Sequence, residues 1–175
     1  TRYGFSAQKT LDLAQRLYEE HKCISYPRTD SRHLPESSRD LVKQILLKLE
    51  RKDLIPRIEA VGKRVFDNSQ LTDHHAIIPL SPPPPGLRED EKKVYHLVKS
   101  RFLATFSPPG KERHTTVLTQ LQAQRNAEPY TFKTIFRTLL EKGWLAEEDP
   151  GRSDADEKEE EVLEVEGVPP LKEGD

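Results

Sequence analysis

The triplet Pro108-Pro109-Gly110 constrains this chain most, because neither a regular helix nor a central strand can run through it. Before it, apolar residues recur at helical spacing; after it, they alternate. Ser6 is placed to cap a helix running to about His21, with Ala7, Leu11, Ala14, Leu17 and Tyr18 on one face. Pro35 with Ser37 and Ser38 opens a second, striped by Leu41, Val42, Ile45, Leu46 and Leu49. A third runs from Glu89 to about Phe106 through Val94, Tyr95, Val98 and Phe102. Residues 61–66 are short and ambiguous. The run Ser81-Pro82-Pro83-Pro84-Pro85-Gly86 reads as a stiff, polyproline-like connector. Beyond the triplet, residues 114–124 and 130–136 read as strands. Residues 136–142 fit a short helix or a turn, and residues 162–165 are a candidate further strand. The expectation is an α+β chain: a mainly helical domain over residues 1–110, then a smaller antiparallel β-rich segment over 111–175. No internal repeat is present.

Charge divides along the same line. Residues 147–175 hold 13 acids against 3 bases, so the 25 bases before them face only 17 acids. The net charge of −2 hides a basic body with an acidic tail, and a basic body is the footprint of a polyanionic partner. The acidic run 147–161 reads as a solvated loop. No apolar run is long enough to span a bilayer, and nothing reads as a signal peptide, so no membrane partner is expected. Cys23 is the single cysteine, which leaves no internal disulfide and fits a reducing compartment; beside Ile24 it reads as a buried thiol. The chain opens on Thr1 and contains no methionine, as expected of a piece of a longer protein.

The stretch with the most chemical content is Ser25-Tyr26-Pro27-Arg28-Thr29-Asp30-Ser31. A residue before proline is pushed toward extended backbone, and in an extended segment Tyr26 and Arg28 share a face. A phenol beside a guanidinium suits attack on a phosphodiester: the cation favours the phenolate, and its planar fork binds phosphate oxygens. Spacing alone leaves the plainer alternatives open, namely a packing tyrosine and a surface Arg28–Asp30 ion pair.

The wider string extends this. Ala14-Gln15-Arg16-Leu17-Tyr18-Glu19 followed by Ile24 to Ser31 resembles the active-site segment of type IA DNA topoisomerases. The Ser-Tyr-Pro-Arg-Thr-Asp-Ser version looks most like the bacterial topoisomerase III branch, since topoisomerase I proteins more often carry methionine at the proline position. Thr72-Asp73-His74-His75-Ala76-Ile77-Ile78-Pro79 resembles the family's second motif in this region. Arg101-Phe102-Leu103-Ala104-Thr105-Phe106 and the closing Pro169-Pro170-Leu171-Lys172-Glu173-Gly174-Asp175 also fit, in the family's order. The resemblance implies a winged-helix-like (CAP-like) helical domain carrying the tyrosine, then part of a β-rich arch that lifts it to open a DNA gate.

By the same resemblance, Tyr26 attacks single-stranded DNA to give a 5′-phosphotyrosyl link and a free 3′-hydroxyl. One phosphoester replaces another, so religation needs no ATP. Arg28 stabilises phosphate charge, and a guanidinium, which does not give up its proton in proteins, is excluded as a base. Thr29, Asp30 and Ser31 support the loop. Aligned on Pro79, the family histidine is His74, which donates to the phosphate; His75, its neighbour, faces the other side and is expected, like Thr29, Asp30 and Ser31, to bind DNA or support the site. One His-His pair without cysteine does not suit zinc.

Asp154-Ala155-Asp156 matches the spacing of the acids that hold Mg²⁺ in this family, but it lies in the acidic run with no apolar strand before it. No cofactor or metal ligand is therefore expected in this chain; the Mg²⁺ of the full enzyme would be held elsewhere. The implied setting is the cytoplasm, at the nucleoid, with DNA and the other topoisomerase domains as partners. Alone, the fragment is expected to be inactive. The rival expectation is a non-catalytic winged-helix-like module that binds nucleic acid with a structural Tyr26. A scaffold recognised through its polyproline run is a third.

Overall fold

The computed structural model describes residues 3–71, 73–121 and 130–148. Most of the acidic run, Asp154 and Asp156, the candidate strand 162–165 and the closing motif 169–175 lie outside the described residues.

Among the described residues five α-helices, four single-turn 3-10 helices and one antiparallel strand pair make up the regular structure: α1 (Ala7–Glu19), α2 (Arg39–Lys48), α3 (Arg57–Ala60), α4 (Glu89–Phe106), β1 (Lys111–Leu121), β2 (Tyr130–Glu141) and α5 (Leu145–Glu148). This is the α+β order the sequence implies, a helical part and then a small antiparallel sheet. Ser6 caps α1, its Oγ accepting from the Lys9 N–H at 3.1 Å. The helix stops two residues short of His21, because the chain reverses through Lys22 at φ +53° and the Cys23 N–H returns to the Leu17 carbonyl.

Two apolar cores share α4 as their common wall. The first packs Val42, Ile45, Leu46 and Leu49 of α2 and Ile58 of α3 against Phe102, Leu103 and Phe106 at the end of α4. The second packs Leu13, Ala14 and Leu17 of α1, with Cys23, Ile24 and Leu87, against Val94 and Tyr95 nearer its start. Both helical stripes are rotated slightly from expectation. Leu13 is buried while Ala7 is exposed, and Leu41 lies at the surface. Several registers of a short amphipathic helix satisfy the same pattern, and the neighbouring helix selects one.

The hairpin departs from expectation at its far end. Residues 136–142 form neither helix nor turn; β2 continues to Glu141. Arg137, Thr138 and Leu139 pair with His114, Arg113 and Glu112, so a cross-strand partner overrides the weak local signal. A register shift lies between Lys111 and Glu112. The acidic run also begins differently. Glu147 and Glu148 belong to α5 and pair with Arg51 at 2.6 Å and Arg101 at 2.8 Å, which returns the chain to the helical part.

That return is tight. At Gly143 the backbone has φ +51°, and a Cβ there would lie 2.5 Å from Pro109 backbone atoms. Gly62 has a similar φ of +49° but open space around it. Gly62→Ala should therefore cost only the left-handed strain of about 1–2 kcal/mol, and Gly143→Ala distinctly more. Thermal unfolding of the two variants checks this; equal losses would mean that the close approach does not govern the junction.

Candidate active site

The Tyr26 segment and the His74 segment are far apart in sequence and run side by side. Ile24 and Pro79 form an antiparallel bridge; the Ser25 N–H donates to the Ile78 carbonyl at 2.9 Å, and the Leu80 N–H to the Cys23 carbonyl at 2.8 Å. The buried Ser25 hydroxyl completes the join, accepting from the Ile78 N–H at 2.9 Å and donating to the Ala76 carbonyl at 3.2 Å. On the far side of the tyrosine loop, the Ala76 N–H reaches the His33 carbonyl at 2.9 Å.

On this frame the Tyr26 ring is half-buried between two others. Tyr18 of α1 meets it edge-on, with centroids 5.4 Å apart, and the His74 ring lies 4.5 Å away at 46°. His74 is exposed to solvent on its other side. His75 is half-buried, with its Nδ1 2.7 Å from the Ala76 carbonyl oxygen. A carbonyl only accepts, so Nδ1 is the donor in that contact.

Arg28 is exposed, and its Nη2 donates to Gln15 Oε1 on α1 at 3.0 Å. Tyr26 and Arg28 thus both touch α1, at positions 18 and 15, one turn apart on one face. Thr29 Oγ1 donates to the His74 carbonyl at 3.4 Å and accepts from the Ser31 N–H at 3.0 Å. Ser31 Oγ accepts from the His33 N–H at 3.2 Å. These contacts shape the loop. Asp30 is exposed beside them.

Three participants were not singled out by the sequence: Ser25 as the join, and Gln15 and Tyr18 as the face of α1 that meets the loop. The signal available was their place inside the quoted motif strings, which spacing alone does not convert into contacts. Tyr95 offers a contrast to Tyr26. It is buried, donates to the Ser81 carbonyl at 2.7 Å, and burial pushes its phenol well above the ordinary range, which disfavours a phenolate. Burial likewise pushes the Cys23 thiol up.

Among the described residues no group of three or more His, Cys, Asp or Glu side chains is arranged to hold a metal ion. No helix among them is long and apolar enough to cross a membrane.

Replacing Ser25 by Ala leaves the buried Ile78 N–H without its acceptor and should cost about 1–3 kcal/mol. Denaturant unfolding measures it. A loss below about 0.5 kcal/mol would show that the hydroxyl is not what joins the segments.

The profile of the DNA topoisomerase family matches residues 1–175. DNA topoisomerase 3 of Bacillus licheniformis is 36% identical over 186 residues, covering 99% of this chain and 24% of the relative. The Bacillus subtilis DNA topoisomerase 3 is 34% identical with the same coverage. That of Pasteurella multocida is 33% identical over 94% of this chain and 25% of the relative. The chain spans about a quarter of the length of these curated relatives. A profile that matches from end to end, over a fold that gathers both motifs at one place, leads to one assignment: the chain belongs to the DNA topoisomerase family, in its type IA branch.

Proposed function

We propose that this chain is the tyrosine-bearing part of a type IA topoisomerase, and that Tyr26 is its nucleophile toward single-stranded DNA. The observation that carries the reading is the convergence on Tyr26: His74 packs on its ring, and Arg28 extends from the same segment against the same helix. The Tyr26 oxygen attacks a backbone phosphorus, the bond from phosphorus to the 3′-oxygen breaks, and the phenolic proton is given up as the 3′-hydroxyl gains one. The 5′-phosphotyrosyl ester keeps the phosphoester bond, so reversal by the 3′-hydroxyl reseals the strand without ATP.

Arg28 presents its remaining donors to the phosphate and meets the charge that builds on the non-bridging oxygens. His74, exposed and packed at a tilt against the Tyr26 ring, donates to the same phosphate. Thr29 and Ser31 hold the loop through their hydrogen bonds, and Asp30 and His75, whose Nδ1 contacts the Ala76 carbonyl, are supporting residues.

Residues 1–110 act as the winged-helix-like gate unit and 111–175 as part of the β-rich arch. Mg²⁺ would be held by other parts of the parent. The parent works on DNA in the cytoplasm, at the nucleoid, and this piece alone does not relax supercoiled plasmid. The 25 bases against 17 acids in residues 1–146 support weak, sequence-tolerant binding of single-stranded DNA. Its log–log salt slope should be about −0.7 per phosphate neutralised.

The test is cleavage of a single-stranded oligonucleotide by the parent enzyme at saturating DNA, scored as covalent adduct. Tyr26→Phe should bind DNA and form no adduct. Arg28→Ala should slow cleavage on the order of 10²–10³-fold, and Arg28→Lys should restore only part, because an ammonium lacks the planar fork. His74→Ala should cost less than Arg28→Ala, and His75→Ala less again. Adduct formation by Tyr26→Phe would leave the non-catalytic module as the better reading, and wild-type cleavage by Arg28→Ala would remove the paired mechanism.

A further inference from the structure

Arg28 has a side-chain partner on α1, and that partner is neutral. Gln15 Oε1 accepts from Arg28 Nη2 at 3.0 Å, and Gln15 Nε2 donates to Glu19 Oε1 at 2.9 Å. The two contacts fix the amide orientation without ambiguity. A guanidinium only donates, so the amide must offer its oxygen there; a carboxylate only accepts, so it must offer its nitrogen to Glu19. The three side chains form a directed relay in which Arg28 donates to Gln15 and Gln15 donates to Glu19.

The neutrality matters. A carboxylate at position 15 would pair with Arg28 and cancel the charge a phosphate needs. An amide oxygen occupies one donor and adds no negative charge, so the guanidinium keeps its charge for a phosphate. The helix that carries the relay is well anchored. Leu13, Ala14 and Leu17 are buried in the second core; Lys9 pairs with Asp90 at 2.7 Å, and Arg16 with the buried Glu91 at 3.1 Å. Lost rotamer freedom of a long side chain costs up to about 2 kcal/mol, and a preset Arg28 has met part of that before DNA arrives.

We propose that Gln15 is a positioning residue for Arg28, oriented in turn by Glu19, and that it presets the guanidinium for the phosphate without neutralising it. The proposal rests on the cleavage role assigned above to Tyr26 and Arg28.

The experiment uses the parent enzyme and the same oligonucleotide. Gln15→Met keeps length and loses the acceptor. Cleavage at saturating DNA should fall about 5–50-fold, less than the loss for removing a charge-stabilising donor outright, with DNA affinity changed less than about 2-fold. Gln15→Glu should slow cleavage at least as much and weaken DNA binding as well, since the new carboxylate pairs with Arg28. Glu19→Ala should give a smaller fall of the same kind. Gln8→Met, which removes the Gln8 Nε2 to Asp12 Oδ1 bond of 2.7 Å on the same helix, should leave the rate unchanged.

The readout that a merely structural role would not move is the cycle with Arg28→Ala: in that background Gln15→Met should have no further effect. A wild-type rate for Gln15→Met, or full additivity with Arg28→Ala, overturns the proposal while the cleavage role stands. A wild-type rate for Arg28→Ala removes the cleavage role of Arg28 and this inference with it.

Discussion

The Ser25 join is the contact on which the rest of the site depends. Ile24 belongs to the core built on α1, and Ile78 belongs to the core built on α2. The backbone ladder from residues 23–25 to 78–80 therefore stitches the two cores together at the point where both motif segments pass. Ser25 contributes backbone and hydroxyl to that seam, in a place where water does not compete for its hydrogen bonds. The tyrosine loop leaves the seam at once. Tyr26 and His74 meet because each lies close to a fixed point of the seam, not because their own contact draws the segments together.

The second fixed reference is α1, whose position is set by an unusual carboxylate. Glu91, 1% exposed, takes the Arg88 backbone N–H at 2.9 Å, the Arg88 guanidinium and the Arg16 guanidinium at 3.1 Å. His21 Nε2 lies 3.4 Å from it without the alignment of a hydrogen bond. A buried charge is costly when a partner is lost, so this cluster resists sliding of α1 along α4 more than the apolar contacts alone do. The exposed pairs along the surface, such as Lys92–Glu89, contribute little by comparison. The consequence reaches the site, because a slide of α1 by one residue would move Gln15 off Arg28 and Tyr18 off Tyr26 together.

The hairpin follows a different logic. Leu118, Leu121, Tyr130, Phe132, Ile135, Leu139 and Leu140 are all exposed, on both faces. Their β-branched and aromatic neighbours made the strands readable as strands. The length of β2 was not readable, because residues 137–141 join it through pairing with residues 111–114, and pairing is a property of two segments.

Local chemistry in the sequence determined a good deal. Prolines and glycine at 108–110 separate helical from alternating pattern; Ser6 caps α1; the Tyr-Pro step forces extended backbone; the motif strings carry the family. Each is a matter of neighbours along the chain, where steric limits and hydrogen-bonding habits act within a few residues. The tertiary structure alone decided which face of α1 and α2 turned inward, that Arg28 reaches Gln15 rather than remaining a lone surface cation, and that Ser25 joins residue 26's segment to residue 78's. It also turned Glu147 from a solvated acid into a partner of Arg51. Those outcomes depend on groups brought together across 13 to 96 positions of sequence, and no local preference encodes which of many possible partners a folded core will place within 3 Å.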